Sequence, residues 1–277
     1  MTPTLTGRTV LITGASSGLG AALARQCAAR GAHLVLVARN EEGLQQTSEL
    51  AGKAGSTRTT LIKTDLTLPD APQDLWERLS SHGIGVDVLI NNAGVSIGGD
   101  FATNDLPDEI SQLTLNATVP LILTRLALPA LLERGEGGII NIASTAANQP
   151  MPRAAVYGAS KAFLASFGKA LSHEVRGTGV RVLTVNPGPI NTPIFAKAGS
   201  QYPDGKKDAP LDVAEEILRA WEAGKPVLTP GRTTNRINAA LVKFLPLPLV
   251  LRVAQGKSEE LMGAGRHPSR THAVHAP

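Results

Sequence analysis

A tyrosine and a lysine four residues apart are the strongest candidates for chemistry in this sequence. Tyr157 and Lys161 lie in a segment with a helical pattern, so both side chains would share one face of the helix. Such a pair arises by chance about one time in five here, so its surroundings must support it. Ser144 lies thirteen residues before Tyr157, at the end of an apolar run, and Asn116 lies inside an earlier helical segment. These four side chains would meet where parallel strands end.

These residue types suit the delivery of a proton to an oxygen atom. The alkoxide that forms when a carbonyl is reduced must receive a proton, and a phenol can give one if its pKa falls toward neutrality. The charge of Lys161 is expected to lower the pKa of Tyr157, and Ser144 is expected to hold the carbonyl oxygen within reach. Ser144 is not expected to be an acylated nucleophile, because no histidine is near in sequence and no nucleophile elbow surrounds it.

A glycine-rich turn near the N-terminus is a candidate pyrophosphate site. It lies between an apolar run and a helical pattern, where glycines permit close backbone approach and the helix N-terminus favours an anion. A glycine turn without a ligand is the alternative, but a position between a strand and a helix favours dinucleotide binding. The residues expected to contact the dinucleotide here are Gly14, Ser16, Ser17, Gly18, Leu19 and Gly20.

The end of the second apolar run indicates which dinucleotide is preferred. An acidic residue about 20 positions after the glycine turn would bind the ribose of NAD, but this chain has Ala38, Arg39 and Asn40 there. Arg39 places a guanidinium where a 2′-phosphate would lie, and no carboxylate opposes it. The sequence therefore predicts NADP(H) rather than NAD(H). The alternative is that Arg39 only pairs with Glu41 or Glu42 at the surface.

Short β-branched runs alternate with longer helical patterns, which predicts successive βαβ units. The predicted strands are residues 9–13, 33–38, 59–64, 86–91, 139–144, 180–186 and 227–229. The predicted helices are residues 18–30, 41–54, 71–81, 108–133, 155–176 and 211–223. Because the strands are almost continuously apolar, we expect an α/β fold, a Rossmann-type doubly wound parallel sheet of about seven strands with helices on both faces.

No linker divides the chain, so a single domain is expected. Residues 1–231 would form the dinucleotide-binding catalytic domain, residues 232–264 an apolar helical extension, and residues 265–277 a poorly ordered tail. The extension has apolar residues at helical spacing, including Ile237, Leu241 and Phe244. They would line the substrate pocket, contact a partner subunit or touch a membrane surface. The pocket and the partner are favoured, because the segment has few basic residues and would attract anionic lipid only weakly.

Composition excludes several classes of protein. The chain has 277 residues, of which 42% are hydrophobic and 18% charged, so a disordered or collagen-like chain is excluded. A net charge of +4 with no run of five basic residues gives no reason to expect nucleic-acid binding. No metal site is expected, because His267, His272 and His275 lie on no predicted scaffold. One cysteine, no signal peptide and no convincing transmembrane segment predict a cytoplasmic protein.

The glycine spacing and three further motifs resemble those of the short-chain dehydrogenase/reductase family. The turn has the spacing Gly14-x3-Gly18-x-Gly20, which differs from the G-x-G-x-x-G of ordinary dinucleotide folds. The sequence Asn91-Asn92-Ala93-Gly94 closes the fourth apolar run, Asp65-Leu66 closes the third, and Asn186-Pro187-Gly188 closes the sixth. The resemblance covers residues 9 to about 192 in the family's order.

The resemblance implies roles for several residues. Asp65 and Leu66 would border the adenine, Asn92 would support the ribose and the sheet, and Ile190 and Thr192 would hold the nicotinamide amide. The other cofactor-binding residues that it implies are Ala93, Gly94, Pro187 and Gly188, together with Tyr157 and Lys161. Asn116 would anchor a water chain that returns a proton through Lys161, the alternative being an asparagine satisfied by backbone groups.

The family resemblance also implies a homodimer or homotetramer. The contact would use the helices predicted at residues 108–133 and 155–176, where small side chains permit close approach of helices. Those small residues are Ala159, Ala162, Ala165 and Ser166.

The expected function is an NADP(H)-dependent oxidoreductase that transfers hydride between the nicotinamide and a ketone, an aldehyde or a secondary alcohol. A 3-oxoacyl-thioester reductase is the alternative, and a non-catalytic NADP-sensing protein is a third possibility. Family members with extended C-termini act on bulky apolar substrates, so the small-molecule substrate is expected to be apolar. Residues 146–153 and 193–208 are expected to shape its pocket.

Overall fold

A single parallel sheet organises the chain. The structure, a computed structural model, describes residues 4–56, 58–192 and 207–262. The strands in these ranges are β1 (Thr9–Thr13), β2 (His33–Ala38), β3 (Thr59–Lys63), β4 (Val88–Asn91), β5 (Gly138–Ile142), β6 (Arg181–Val185) and β7 (Val227–Leu228). They pair in parallel in the order β3-β2-β1-β4-β5-β6-β7. The predicted seven-stranded, doubly wound fold is confirmed.

Helices connect these strands and extend beyond the last one. They are α1 (Gly18–Ala28), α2 (Glu41–Ala54), α3 (Ala71–Ser81), α4 (Leu106–Leu113), α5 (Val119–Arg134), α6 (Ala155–Glu174), α7 (Pro210–Glu222), α8 (Thr233–Leu241) and α9 (Leu247–Met262). A π-helical turn at Thr114–Thr118 joins α4 to α5, so the one helix predicted at residues 108–133 is interrupted there. Short 3-10 turns occupy Thr145–Asn148 and Val242–Phe244.

The strands bury side chains on both of their faces, as the uniform apolar runs predicted. In β1, Val10 and Ile12 belong to a core shared with α1 and α7, whereas Leu11 belongs to a second core shared with α3, α5 and α6. Successive side chains of a strand point to opposite faces, so helices must cover both. The sheet is therefore the middle layer of three.

The helical stretch Leu106–Arg134 is 29 residues long and apolar enough, by length and composition, to cross a membrane. The core helices of water-soluble proteins pass the same test. Here Leu123, Ala127 and Leu131 are buried in the core beside the sheet. This packing accounts for the apolar residues on the face of the stretch that meets the sheet.

Chain connectivity places a crevice at the carboxyl ends of the central strands. β1 pairs with β2 on one side and with β4 on the other, so the winding direction reverses between β1 and β4. At such a reversal the connections after neighbouring strands diverge, and a ligand cleft opens at the carboxyl ends of the strands. The predicted tail at residues 265–277 and residues 193–206 of the predicted pocket wall lie outside the described residues.

Candidate active site

A cavity of about 940 Å³ lies at the carboxyl ends of the strands. It is lined by residues that follow each of the strands β1 to β6. Every residue proposed from the sequence lies on its wall except Asn116, which lies behind it. The volume is near the upper end of the range for small-molecule sites. The fold thus gathers residues from Gly14 to Ala254, 240 positions apart in sequence, around one cavity.

The glycine-rich turn leaves no room for side chains. Gly14 has a φ of 68°, and a Cβ placed on it would lie 2.8 Å from the Cα of Ala93. A Cβ on Gly20 would collide with the carbonyl oxygen of Gly14. Asn92 follows β4, the neighbour of β1 in the sheet, and it fixes the turn. Its Nδ2 donates to the carbonyl oxygens of Thr13 at 2.8 Å and of Gly14 at 3.2 Å. The result is a rigid cradle with exposed backbone N–H groups at the start of α1.

Two residues outside the predicted set also shape this turn. The Thr13 hydroxyl accepts hydrogen bonds from the backbone N–H groups of Asn92, at 3.1 Å, and Ala93, at 3.0 Å. Gly43 in α2 packs so closely that a Cβ on it would lie 2.6 Å from the carbonyl oxygen of Ser16. Neither contact is visible in the sequence, because each joins segments that are distant along the chain.

The guanidinium of Arg39 lies at the mouth of the cavity. Its Nη1 is 3.3 Å from Oδ2 of Asp65, and its side chain is 61% exposed. The alternative partners proposed from the sequence, Glu41 and Glu42, are not its partners, and Glu41 instead pairs with Lys63 at 3.0 Å. Partial burial acts to raise the pKa of Asp65, but hydrogen bonds from Thr67 and the charge of Arg39 together lower it. Asp65 is therefore ionised at neutral pH.

The Tyr157, Ser144 and Lys161 side chains converge at the other end of the cavity. Tyr157 and Lys161 project from α6, and Ser144 lies just beyond β5 rather than at its last residue. The Lys161 ammonium is buried and donates to the carbonyl oxygen of Ile142 at 2.9 Å. The Ser144 hydroxyl accepts from the backbone N–H of Ala146 at 3.1 Å and is also hydrogen-bonded to the Tyr157 hydroxyl.

The ionisation of this set differs from the expectation in one respect. Burial raises the pKa of Tyr157, and the hydrogen bond with Ser144 only partly offsets that rise. The predicted lowering by Lys161 is therefore not seen, because burial disfavours the phenolate and only the hydrogen bond with Ser144 opposes it. Burial also lowers the pKa of Lys161, to about 8. At neutral pH the phenol is thus protonated and the ammonium is mostly charged.

Asn116 occupies the π-helical turn and holds the segment that follows β4. Its Oδ1 accepts from the N–H of Val95 at 3.0 Å, and its Nδ2 donates to the carbonyl of Val95 at 2.9 Å and to the hydroxyl of Ser160 at 3.1 Å. Ser160 in turn donates to the carbonyl of Tyr157 at 2.8 Å. The Val95 backbone and the Ser160 hydroxyl, rather than backbone groups alone, thus bind this amide, and it links the Tyr157 helix to the cavity wall.

Apolar side chains and the C-terminal extension close the end of the cavity near Ser144. The apolar lining of the cavity includes Val95, Ile97, Leu115, Met151, Ala154 and Ala254. Of the residues 146–153 predicted to shape the substrate pocket, Ala146, Asn148, Gln149 and Met151 line the cavity. The extension contributes Asn235 from α8 and Ala254 from α9, neither of which was singled out in the sequence.

Asp208 fastens the extension to the turn after β6. Its Oδ1 is 3.4 Å from Nε of Arg232, and Nδ2 of Asn235 donates to its Oδ2 at 3.3 Å. Its backbone N–H donates to the carbonyl of Pro189 at 2.9 Å. A Cβ on Gly188 would collide with the Asn235 amide. The helix α8 is therefore seated directly on the cavity wall formed by residues 187–190.

The described residues contain no group of three or more histidine, cysteine, aspartate or glutamate side chains that could hold a metal ion. The three tail histidines noted in the sequence lie outside the described residues.

Comparison with known proteins identifies the family. Residues 8–203 match the family described as short chain dehydrogenase. Ketoacyl reductase HetN of Nostoc sp. is 42% identical over 188 residues, which span 68% of this chain and 65%, less than two thirds, of HetN.

Two solved structures are similar over most of the chain. A short-chain dehydrogenase from Sphingobium yanoikuyae in complex with NADPH is 29% identical, with a TM-score of 0.76 over 94% of this chain and 99% of that one. The bulky-bulky ketone specific alcohol dehydrogenase from Comamonas testosteroni is 27% identical, with a TM-score of 0.72 over 94% of this chain and 97% of that one. The protein described here therefore belongs to the short chain dehydrogenase family of oxidoreductases.

Proposed function

We propose that this protein is an NADP(H)-dependent oxidoreductase that reduces a ketone or aldehyde and, in reverse, oxidises a secondary alcohol. The observation that carries the proposal is the presence, in one cavity, of the Tyr157, Ser144 and Lys161 set at one end and the glycine cradle with Arg39 at the other. The related structure solved with NADPH and the ketone-specific alcohol dehydrogenase support it.

The cavity fits the proposed cofactor on its own geometry. At Gly14 and Gly20 the turn packs against backbone atoms and the Asn92 amide with no room for a Cβ, and such a tight glycine turn lets a pyrophosphate approach the backbone closely. Arg39 is largely exposed and carries the positive charge that a 2′-phosphate needs. Asp65 and Leu66 would border the adenine, while Ile190 and Thr192 line the cavity and would hold the nicotinamide amide. Pro187 and Gly188 form the wall beneath it.

The catalytic residues would act on the oxygen of the substrate. NADPH, when bound, supplies a hydride to the carbonyl carbon. Tyr157 donates its hydroxyl proton to the carbonyl oxygen, which becomes the alcohol oxygen. The Ser144 hydroxyl hydrogen-bonds that oxygen and holds it beside Tyr157. With a pKa of about 8, Lys161 remains about nine-tenths protonated at pH 7 and stabilises the phenolate that forms.

Asn116 would act as a positioning residue and as part of the route by which the phenolate regains its proton. A Cβ on Gly94 would lie 3.0 Å from Oδ1 of Asn116 and 3.2 Å from Nζ of Lys161, so both polar groups approach the same glycine. Lys161 can pass a proton to Tyr157 and be re-protonated from solvent through this region. A glycine at position 94 keeps the space between them open.

The substrate would be apolar around its carbonyl group. Val95, Leu115, Met151 and Ala254 offer no charge to it, and the only charged groups on the described lining are Arg39, Asp65, Asp108 and Lys161. The identity to ketoacyl reductase HetN favours a 3-oxoacyl compound as a second candidate substrate.

The protein would also form a homodimer or homotetramer through α5 and α6. Phe163 on α6 is 41% exposed and stacks on Phe167, and Ala159 and Ser166 are exposed on the same side of that helix. Ala165, which the sequence placed with them, is instead buried in the core. Light scattering tests this proposal, and a monomeric mass at working concentration would contradict it. The predicted cytoplasmic location and domain limits stay predictions.

A panel of carbonyl compounds tests the function. Aliphatic ketones of increasing size, aromatic ketones and 3-oxoacyl thioesters are incubated with the enzyme and NADPH or NADH, and cofactor oxidation is followed by absorbance. We expect turnover with NADPH at least about tenfold faster than with NADH for at least one ketone class. Tight NADPH binding without oxidation by any carbonyl would instead favour a sensing role and overturn the proposal.

A further inference from the structure

The corner between α8 and α9 exposes an uninterrupted apolar run. Residues 244–249 read Phe-Leu-Pro-Leu-Pro-Leu, and all six are exposed. Phe244 is 85% exposed, the largest exposure among the large apolar side chains of the described chain. Runs of four or more consecutive exposed apolar residues are unfavourable in water unless they have a function. We name this run, residues 244–249, the apolar tip.

The apolar surface continues from the tip along both helices. Ile237 and Leu241, one turn apart on α8, are 51% and 55% exposed, and Val253 on α9 is 49% exposed. The opposite side of α9 is packed inward, since Val250 is 6% and Ala254 1% exposed. The two helices are therefore anchored to the catalytic body by one face and present a second apolar face outward.

The segment carries a small net positive charge. Residues 233–262, which span both helices, contain Arg236, Lys243, Arg252 and Lys257 together with Glu259 and Glu260, a net charge of +2. Arg236 is partly neutralised, because its Nη2 lies 2.6 Å from a carboxylate oxygen of Glu216 on α7. Arg252 is exposed on α9. So few cations attract lipid only weakly, so the exposed apolar side chains must supply most of the attraction to a lipid surface, and the cations favour an anionic one.

We propose that the apolar tip, with the outer faces of α8 and α9, docks on an anionic lipid bilayer. Phe244 of the apolar tip is 85% exposed. Lipid acyl chains can rearrange around such an exposed side chain, so a bilayer suits this surface. A second copy of the chain is a poorer occupant, because a symmetric contact would bring two segments of net positive charge together. The depth of about 5–10 Å that interfacial helices reach is enough to bury Phe244 and Leu247 among the acyl chains.

Vesicle flotation tests the proposal with the full-length protein. Phosphatidylcholine vesicles with and without phosphatidylglycerol are the probes, and the test variant is Phe244→Glu with Leu247→Glu. The control is Leu50→Glu with Leu68→Glu, because those leucines are 42% and 59% exposed and lie outside this segment. Turnover of a small water-soluble ketone and the oligomeric mass are measured for each protein. None of the substituted residues lines the catalytic cavity.

We expect the wild type and the control to float with anionic vesicles, less with neutral ones, and less as salt is raised. The test variant should bind at least about tenfold more weakly while keeping its turnover and mass, because each apolar anchor contributes about tenfold. Flotation of the test variant like the wild type overturns the proposal, as does no flotation of the wild type. A test variant with a reduced oligomeric mass would show that the tip contacts a partner subunit and would overturn it too.

Discussion

Arg39 and Asp65 form an ion pair across the mouth of the cavity, with 3.3 Å between Nη1 and Oδ2. Arg39 follows β2, and Asp65 follows β3. The carboxylate therefore holds the guanidinium at the position where a 2′-phosphate would bind. The Arg39 side chain is largely exposed, so this ion pair is weak and the arginine can turn toward a ligand.

Replacing Arg39 tests the cofactor preference. Arg39→Ala should weaken NADPH binding by about 10- to 100-fold and leave NADH binding within about threefold, because a charge-assisted contact to the phosphate is lost. Fluorescence titration with both cofactors measures this. Lys63→Ala is the control, since Lys63 forms a similar exposed pair with Glu41 off the cavity wall. An unchanged preference would mean that another residue reads the phosphate.

Replacing Asp65 tests the other half of the pair. Asp65→Asn should increase the preference for NADPH over NADH by about three- to tenfold, because the carboxylate no longer competes with the phosphate for Arg39. The Thr67 hydrogen bonds use the other oxygen, which asparagine retains. If the preference falls instead, Asp65 positions Arg39 rather than competing for it.

Lys161 should cost stability at neutral pH. Burial lowers its pKa from 10.5 to about 8, so below pH 8 the folded protein holds a buried charge that the unfolded chain exposes to water. Lys161→Met should therefore raise the free energy of unfolding at pH 7 by about 1–2 kcal/mol, after loss of the bond to Ile142, and lower turnover by about 1,000-fold.

The sign of the pH dependence separates this account from a packing effect. Between pH 8 and 10.5 the unfolded lysine binds more protons than the folded one, so the stability of the wild type rises with pH. The advantage of the Lys161→Met variant should shrink across that window in urea titrations. Lys169→Met, on the exposed side of the same helix, should change neither property. A constant advantage at all pH values would contradict the buried charge.

Ala254 should limit the size of the substrate. Ala254→Phe places a larger side chain at a cavity-lining position that is 1% exposed. We expect kcat/KM for bulky ketones to fall by about 10- to 100-fold and that for the smallest active ketone to stay within about threefold. Val253→Phe is the matched control, because Val253 is 49% exposed and does not line the cavity. Equal losses for both ketones would show a general disturbance of α9.

The sheet could be predicted well from the sequence because its strands are buried on both faces. Each strand is therefore a short, almost continuously apolar run that is recognisable locally. Strand ends were less accurate, and Ser144 lies beyond β5 because the chain turns there into a 3-10 turn. The π-helical turn around Asn116 was missed, since it replaces α-helical bonds without a change in apolar spacing.

Long-range contacts explain the other omissions. Gly43, Asp208 and Asn235 matter because they meet segments far away along the chain, and no local pattern reports such contacts. The expected direction of the Tyr157 pKa was wrong for a related reason. The spacing places a lysine near the tyrosine, but the burial that dominates the pKa of Tyr157 depends on the whole cavity wall.

The central claim is that Tyr157 gives the proton to the carbonyl oxygen. The most direct test is the single-turnover rate of NADPH oxidation by Tyr157→Phe with a saturating ketone, beside a fluorescence titration with NADPH. The ring is kept and only the hydroxyl is lost, so NADPH binding should stay within about threefold while the rate falls at least about 1,000-fold. A rate within about tenfold of the wild type would remove Tyr157 as the acid and contradict the account.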